Sequence, residues 1–158
     1  MIVSRTVQRQ TDFGVLLNLA FGALKHEMQS HMADAGFDDL GPSFGYVFRL
    51  VDQDSPSLAE LAARLGITPQ GTLKIVDEMI GKGYMHRTDD ETDRRIKRLT
   101  LSARGKRALA EARRFHGMFE RDLGSRLGTR RVATARAVLE AIIADASAQG
   151  LEMHVRPF

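Results

Sequence analysis

Two short clusters of side chains carry most of the recognition chemistry in this chain of 158 residues. One is Gln70, Gly71, Thr72, Lys74 and Ile75; the other is Arg94, Arg95 and Lys97. Their residue types suit the surfaces of a nucleic acid. Glutamine pairs with adenine through two hydrogen bonds, and lysine donates to guanine or to phosphate. Glycine allows close approach, and an exposed isoleucine can meet a thymine methyl. Arginine is drawn to the negative potential of a narrow minor groove. Asp93 stands directly before the arginines. It is expected to pair with one of them and brace the loop, leaving the other free to extend.

Those clusters need elements that hold them rigidly, and the pattern from Ser57 to Leu101 supplies them. Ser57 with Glu60 three residues on has the spacing of a capping box, and Pro56 keeps the entering chain out of helix. Leu58, Leu61, Ala62 and Leu65 then fall on one helical face. Gly66 can stop that helix in a left-handed conformation. Thr68-Pro69 restarts it with a cap hydroxyl and a proline at the first helical position. Stop and restart at this interval make a helix-turn-helix.

On the second helix, expected over Pro69 to Lys82, Leu73, Val76 and Ile80 cluster inward with Met79 at the margin. Gly71, Lys74, Ile75, Glu78 and Lys82 face away, with Gln70 and Thr72 on the flanks. Gly83 ends the helix. A strand is expected over Tyr84 to Thr88, a polar tip over Asp89 to Asp93, and a return strand over Arg94 to Leu101. A helix-turn-helix followed by a hairpin with arginines near its tip is a winged reader of duplex DNA.

The run LAELAARLGIT, the helix ending in GKGYMHR, and DETDRRIKRLTLSARGKR together resemble the MarR (multiple antibiotic resistance regulator) family. The most specific part is Asp93-Arg94-Arg95 followed by Leu99-Thr100-Leu101-Ser102 and Gly105. The order of elements is similar over about residues 12 to 148, the sequence itself over about 57 to 105. The resemblance implies a winged-helix homodimer that acts as a repressor and is released from DNA by a small phenolic or lipophilic ligand. It also implies that Lys74 contacts DNA from the recognition helix, Arg95 from the wing tip, and Lys97 close by. The Pro69-Gln70-Gly71 start departs from the Ser or Thr with longer side chains usual in the family.

The flanks read as long helices. Phe13, Leu16, Leu17, Ala20, Phe21, Leu24, Met28 and Met32 recur at helical spacing until Gly36. Ser43 to Val51 reads as a short helix with Phe44, Val47 and Phe48 inward. Ser102 caps another helix with Ala108, Ala112, Phe115, Phe119 and Leu123 on a stripe. Gly128 breaks it, and Val132, Ala135, Leu139, Ile142 and Ala146 continue on a last helix. Phe13, Phe115 and Phe119 are expected in the core. The flanking helices hold more apolar surface than one small winged helix can cover, which points to a two-fold dimer. The expected fold is therefore mainly α: a single domain over 1–158. It has dimerisation helices at 12–35 and 102–148, a reading head at 43–101, and a tail, LEMHVRPF, without clear pattern.

Composition narrows the function. The formal charge is +3, unevenly spread: net −3 over residues 1–56, +1 over 57–101 and +5 over 102–158. Basic residues in the reading head must therefore act by position rather than by bulk charge. There is no cysteine, which excludes disulfides, thiolate metal sites and thiol redox sensing. His26, His31, His86, His116 and His154 show no metal-ligand spacing, and no catalytic motif is present, so neither a cofactor nor an enzyme is expected. No apolar run is long enough for a membrane span and MIVSRTVQRQ is no signal peptide, so a cytoplasmic protein is expected. The expected function is a homodimeric, sequence-specific transcriptional regulator on a palindromic operator, with a small-molecule effector. A constitutive DNA-binding protein and a winged helix used only for protein interaction are the alternatives.

Overall fold

The computed structural model describes residues 11–150; the N-terminal decapeptide and the LEMHVRPF tail lie outside them. In chain order the elements are α1 (Phe13–Asp34), α2 (Phe44–Asp54), α3 (Leu58–Leu65), α4 (Pro69–Gly81), β1 (Met85–Asp89), β2 (Lys97–Leu101), α5 (Ala103–Leu127) and α6 (Thr129–Ala148). The mainly helical winged helix-turn-helix expected from the sequence is borne out. The chain divides after Asp38 into two compact units. The first holds α1, in which Met32 is the one buried residue. The second holds everything else.

The core of the second unit is drawn from every element that frames the reading head. α2 buries Phe44, Val47, Phe48 and Val51, an i, i+3, i+4, i+7 stripe. α3 adds Leu61 and Leu65, α4 adds Val76 and Met79, and the hairpin adds Met85, Leu99 and Leu101. Ala108 and Leu109 of α5 close it from the far side. Phe44, Phe48 and Tyr84 meet edge to face, with ring centroids 5.5–6.2 Å apart.

Local signals set the ends of these helices. The Ser57 hydroxyl accepts from the Glu60 N–H at 3.3 Å, and the Glu60 carboxylate accepts from the Ser57 N–H at 2.7 Å. Thr68 caps α4 by accepting from the Gly71 N–H at 3.1 Å. Ser102 caps α5 by accepting from the Gly105 N–H at 3.0 Å, while its own hydroxyl donates to the Gly83 carbonyl. Gly83, at φ 75°, lets its N–H and that of Tyr84 return to the carbonyls of Ile80 and Met79. That turn ends α4 and aims the chain straight into β1.

Two elements differ in length from their expected spans. α2 runs on to Asp54, three residues past the expected end. The return strand starts at Lys97, so Arg94, Arg95 and Ile96 belong to the loop. The hairpin is antiparallel, with Asp89 opposite Lys97 and Met85 opposite Leu101. Its free edge is partly covered by the segment before α3, where the Leu99 N–H donates to the Pro56 carbonyl and Ser57 pairs with Arg98.

A polar cluster that the sequence pattern did not reveal joins four segments of this unit. Arg104 donates to the Asp39 carboxylate at 3.0 and 3.1 Å and to the Tyr84 hydroxyl at 3.1 Å. The Tyr84 hydroxyl itself donates to Asp39, and Lys82 donates to the Asp39 carbonyl at 2.6 Å. Burial pulls the Asp39 carboxyl upward, but the Tyr84 hydrogen bond and the Arg104 charge outweigh it and hold the group below its ordinary value. Gly105 lies against the chain just before β1: a Cβ there would lie 2.1 Å from the Tyr84 carbonyl oxygen.

Candidate nucleic-acid interface

The face of α4 turned away from the core is Gln70, Leu73, Lys74, Asp77 and Glu78, all exposed. The buried face is Thr72, Val76 and Met79. This is the expected helix rotated by somewhat less than one residue. Leu73, expected inward, is 38% exposed, and Ile75, expected outward, is half-buried. The cause is Thr72, which is wholly buried. Its hydroxyl donates to the Thr68 carbonyl one turn back at 3.1 Å. With that polar atom satisfied, the threonine packs as a small β-branched apolar residue. Thr72 therefore leaves the set of residues that can reach a groove. Leu73 replaces Ile75 as the exposed apolar group, and treating Thr72 as apolar in the helical period would have revealed it. Gly71 is half-buried, and Gln70 and Lys74 stand where expected.

The wing is a tight polar loop. One Asp90 oxygen accepts from the Thr92 N–H, the Thr92 hydroxyl and the Asp93 N–H at 2.6–3.1 Å; the other accepts from Arg98 at 2.6 Å. The Thr92 hydroxyl, then Arg98, then the backbone donors hold the Asp90 carboxyl far below the usual carboxylate range. Arg98 also reaches Glu60 at 2.7 Å, so one guanidinium ties the wing loop to the cap of α3. Lys97 and Arg98 leave β2 on opposite sides: Lys97 pairs with Asp89 at the surface, whereas Arg98 turns inward.

Asp93 braces Arg95, accepting from its backbone N–H at 3.0 Å and from its Nε at 3.1 Å. One arginine is thus braced by Asp93, as expected, and it is Arg95. Arg95 Nη2 also donates to the second Asp93 oxygen at 3.3 Å, so the guanidinium itself is held while the side chain stays 91% exposed. Arg94 is exposed beside it.

A capped helix with a polar outward face, followed by a braced arginine-tipped hairpin on the same core, defines a winged helix-turn-helix protein. Residues 42–97 match the model of the MarR family. Over that segment the chain is similar to the MarR family of DNA-binding transcriptional regulators, and the resemblance read from the sequence is borne out.

Solved structures agree on the fold. Streptococcus pneumoniae FabT in complex with DNA is 17% identical, with a TM-score of 0.73 over 86% of this chain and 95% of that one. The Staphylococcus aureus MepR–DNA complex is 16% identical, with a TM-score of 0.67 over 85% and 98%. The transcriptional repressor CouR, bound to a 23-mer DNA duplex, is 24% identical, with a TM-score of 0.64 over 91% and 98%. No curated protein matches the chain in sequence. Among the described residues no helix is long and apolar enough to cross a membrane.

Proposed function

We propose that the chain is a homodimeric, cytoplasmic repressor that reads a two-fold symmetric operator and is released by a small lipophilic or aromatic effector. The observation that carries the reading is that one rigid head offers two separate DNA-directed features. Gln70, Leu73 and Lys74 stand outward on α4, and Arg95 stands 91% exposed at the wing. The first suits base edges in the major groove, the second the adjacent minor groove. Arg94 and Lys97 add phosphate contacts on either side.

The dimer part is supported by α6, in which no residue is buried and Val138, Leu139, Ile142 and Ile143 are each at least 43% exposed. A second copy of the chain is the cover that two half-sites require. The helices at 12–35 and 102–148 are the proposed dimerisation segments of one 1–158 domain. Relatives of this fold have been captured on DNA, among them FabT, MepR and CouR. Effector release rests on the family resemblance. It would work by changing the spacing of recognition helices that must match groove positions about 34 Å apart.

The test is a mobility shift on a duplex enriched by the protein from a random library. Arg95→Ala should weaken binding strongly and leave the thermal unfolding midpoint unchanged. A thermal-shift screen with aromatic acids should raise the midpoint and release the duplex for at least one compound. Undiminished binding by Arg95→Ala on both enriched and random duplexes would remove the wing from the mechanism.

A further inference from the structure

An acidic residue on a helix that faces phosphates should oppose binding, and α4 carries one on its outward stripe. Asp77 follows Gln70, Leu73 and Lys74 at i+7, i+4 and i+3, and its side chain is 56% exposed. It does not stand alone. Arg87 Nη2 donates to Asp77 Oδ1 at 2.6 Å.

Arg87 comes from the wing, not from the helix. On β1 it shares the side of Met85, and it is paired across the hairpin with Leu99; both of those residues are buried. Its side chain, 39% exposed overall, therefore starts between buried neighbours and reaches across to Asp77 on α4. One nitrogen is engaged by Asp77, and among the described residues no other acceptor takes the remaining donors. A planar guanidinium fixed by a carboxylate on one side and open on the other is preorganised for a phosphate oxygen. The wing repeats the device, where Asp93 fixes Arg95.

We propose that Arg87 is a DNA-phosphate contact and that Asp77 is its positioning residue, so that the carboxylate on the reading face aids binding. The inference rests on the DNA-binding reading above and adds two residues to it. Arg87 clamps the backbone between the major groove read by α4 and the minor groove met by the wing. Asp77 holds that clamp in register with Lys74, one turn away on the same helix.

The sign of a single substitution separates this from simple repulsion. Asp77→Ala removes a negative charge from the DNA-facing surface. Repulsion alone requires tighter binding, whereas the positioning role requires weaker binding. The experiment is a double-mutant cycle on the full chain with Arg87→Ala, Asp77→Ala and both together. Binding is titrated against a duplex enriched by the parent protein and a random-sequence duplex, at several salt concentrations.

Arg87→Ala should weaken binding to both duplexes by about tenfold and flatten the salt dependence by about one ion. Asp77→Ala should weaken binding in the parent and tighten it in the Arg87→Ala background, with unfolding midpoints unchanged throughout. Arg87→Gln, which keeps the stem, repeats the test if Arg87→Ala unfolds. Tighter binding by Asp77→Ala in both backgrounds, or full affinity without Arg87, overturns the proposal while leaving the parent a DNA-binding protein. Failure of the parent to bind either duplex removes the functional reading and this inference together.

Discussion

The reading head and the last helix both carry large apolar side chains, yet they treat them in opposite ways. In the head, Phe44, Val47, Leu61, Leu65, Val76, Met79 and Leu99 are each at most 1% exposed. In α6, Leu139, Ile142 and Ile143 are 43–50% exposed and nothing is buried. Burial of a large aliphatic side chain contributes about 1.5–3 kcal/mol, so the head, closed by α5, gains that for most of its apolar groups and α6 for none. The head is a finished folding unit, with capped helices and a braced wing. α6 is a surface prepared for something else. Regions that recognise DNA must be rigid before they meet it, whereas regions that assemble keep their apolar groups for the partner.

The comparison would be broken most severely by charging the open surface. Leu139→Glu with Ile142→Glu should convert the proposed dimer to monomers in sedimentation velocity. DNA affinity should fall by on the order of 100-fold or more, because a single head loses its tethered second half-site. The head itself should unfold at an unchanged temperature. If the paired substitution leaves both mass and affinity intact, α6 is not an assembly surface.

The closed character of the head is tested by one methyl group. Gly105→Ala places a Cβ against the Tyr84 carbonyl with no flexible side chain to yield. It should lower stability by about 3 kcal/mol in urea unfolding. Gly22→Ala on α1, where a Cβ meets nothing within 4 Å, should instead raise stability by about 0.5–1 kcal/mol. Equal effects at the two sites would erase the distinction between packed and open regions.

A smaller expected effect sharpens the account of the head's outward face. Lys74→Ala should cost about 1–3 kcal/mol of binding and relax preference at one base pair if it reads a base. A uniform loss with a shallower salt slope would make it a phosphate contact instead.

Much of this architecture was legible in the sequence because its signals are local. Ser57 with Glu60, Thr68 with Pro69, Gly66, Gly83 and Ser102 each act within four residues, and each marks the end or start it was expected to mark. The stripe of α5 was equally readable: Ala108 and Phe115 are buried, and Phe119 is half-buried. What escaped depends on partners distant in sequence. The rotation of α4 escapes a polar–apolar period because Thr72 packs as an apolar residue, its hydroxyl satisfied by the Thr68 carbonyl. Phe13 was expected in a core and is 56% exposed in the single chain. The ties from Arg98 to Glu60, Arg87 to Asp77 and Arg104 to Asp39 span ten to 65 residues. No periodicity announces such pairs, since any exposed arginine has several acidic residues to choose from.

Two heads, joined through apolar surface outside the head, should occupy one symmetric duplex. Sedimentation equilibrium of the complex with an enriched duplex gives its stoichiometry directly, and scrambling one half-site tests the coupling. The account predicts two chains per duplex and a loss of affinity on the order of 100-fold when a half-site is destroyed. One chain per duplex, bound equally well to the intact and the half-scrambled site, would contradict it.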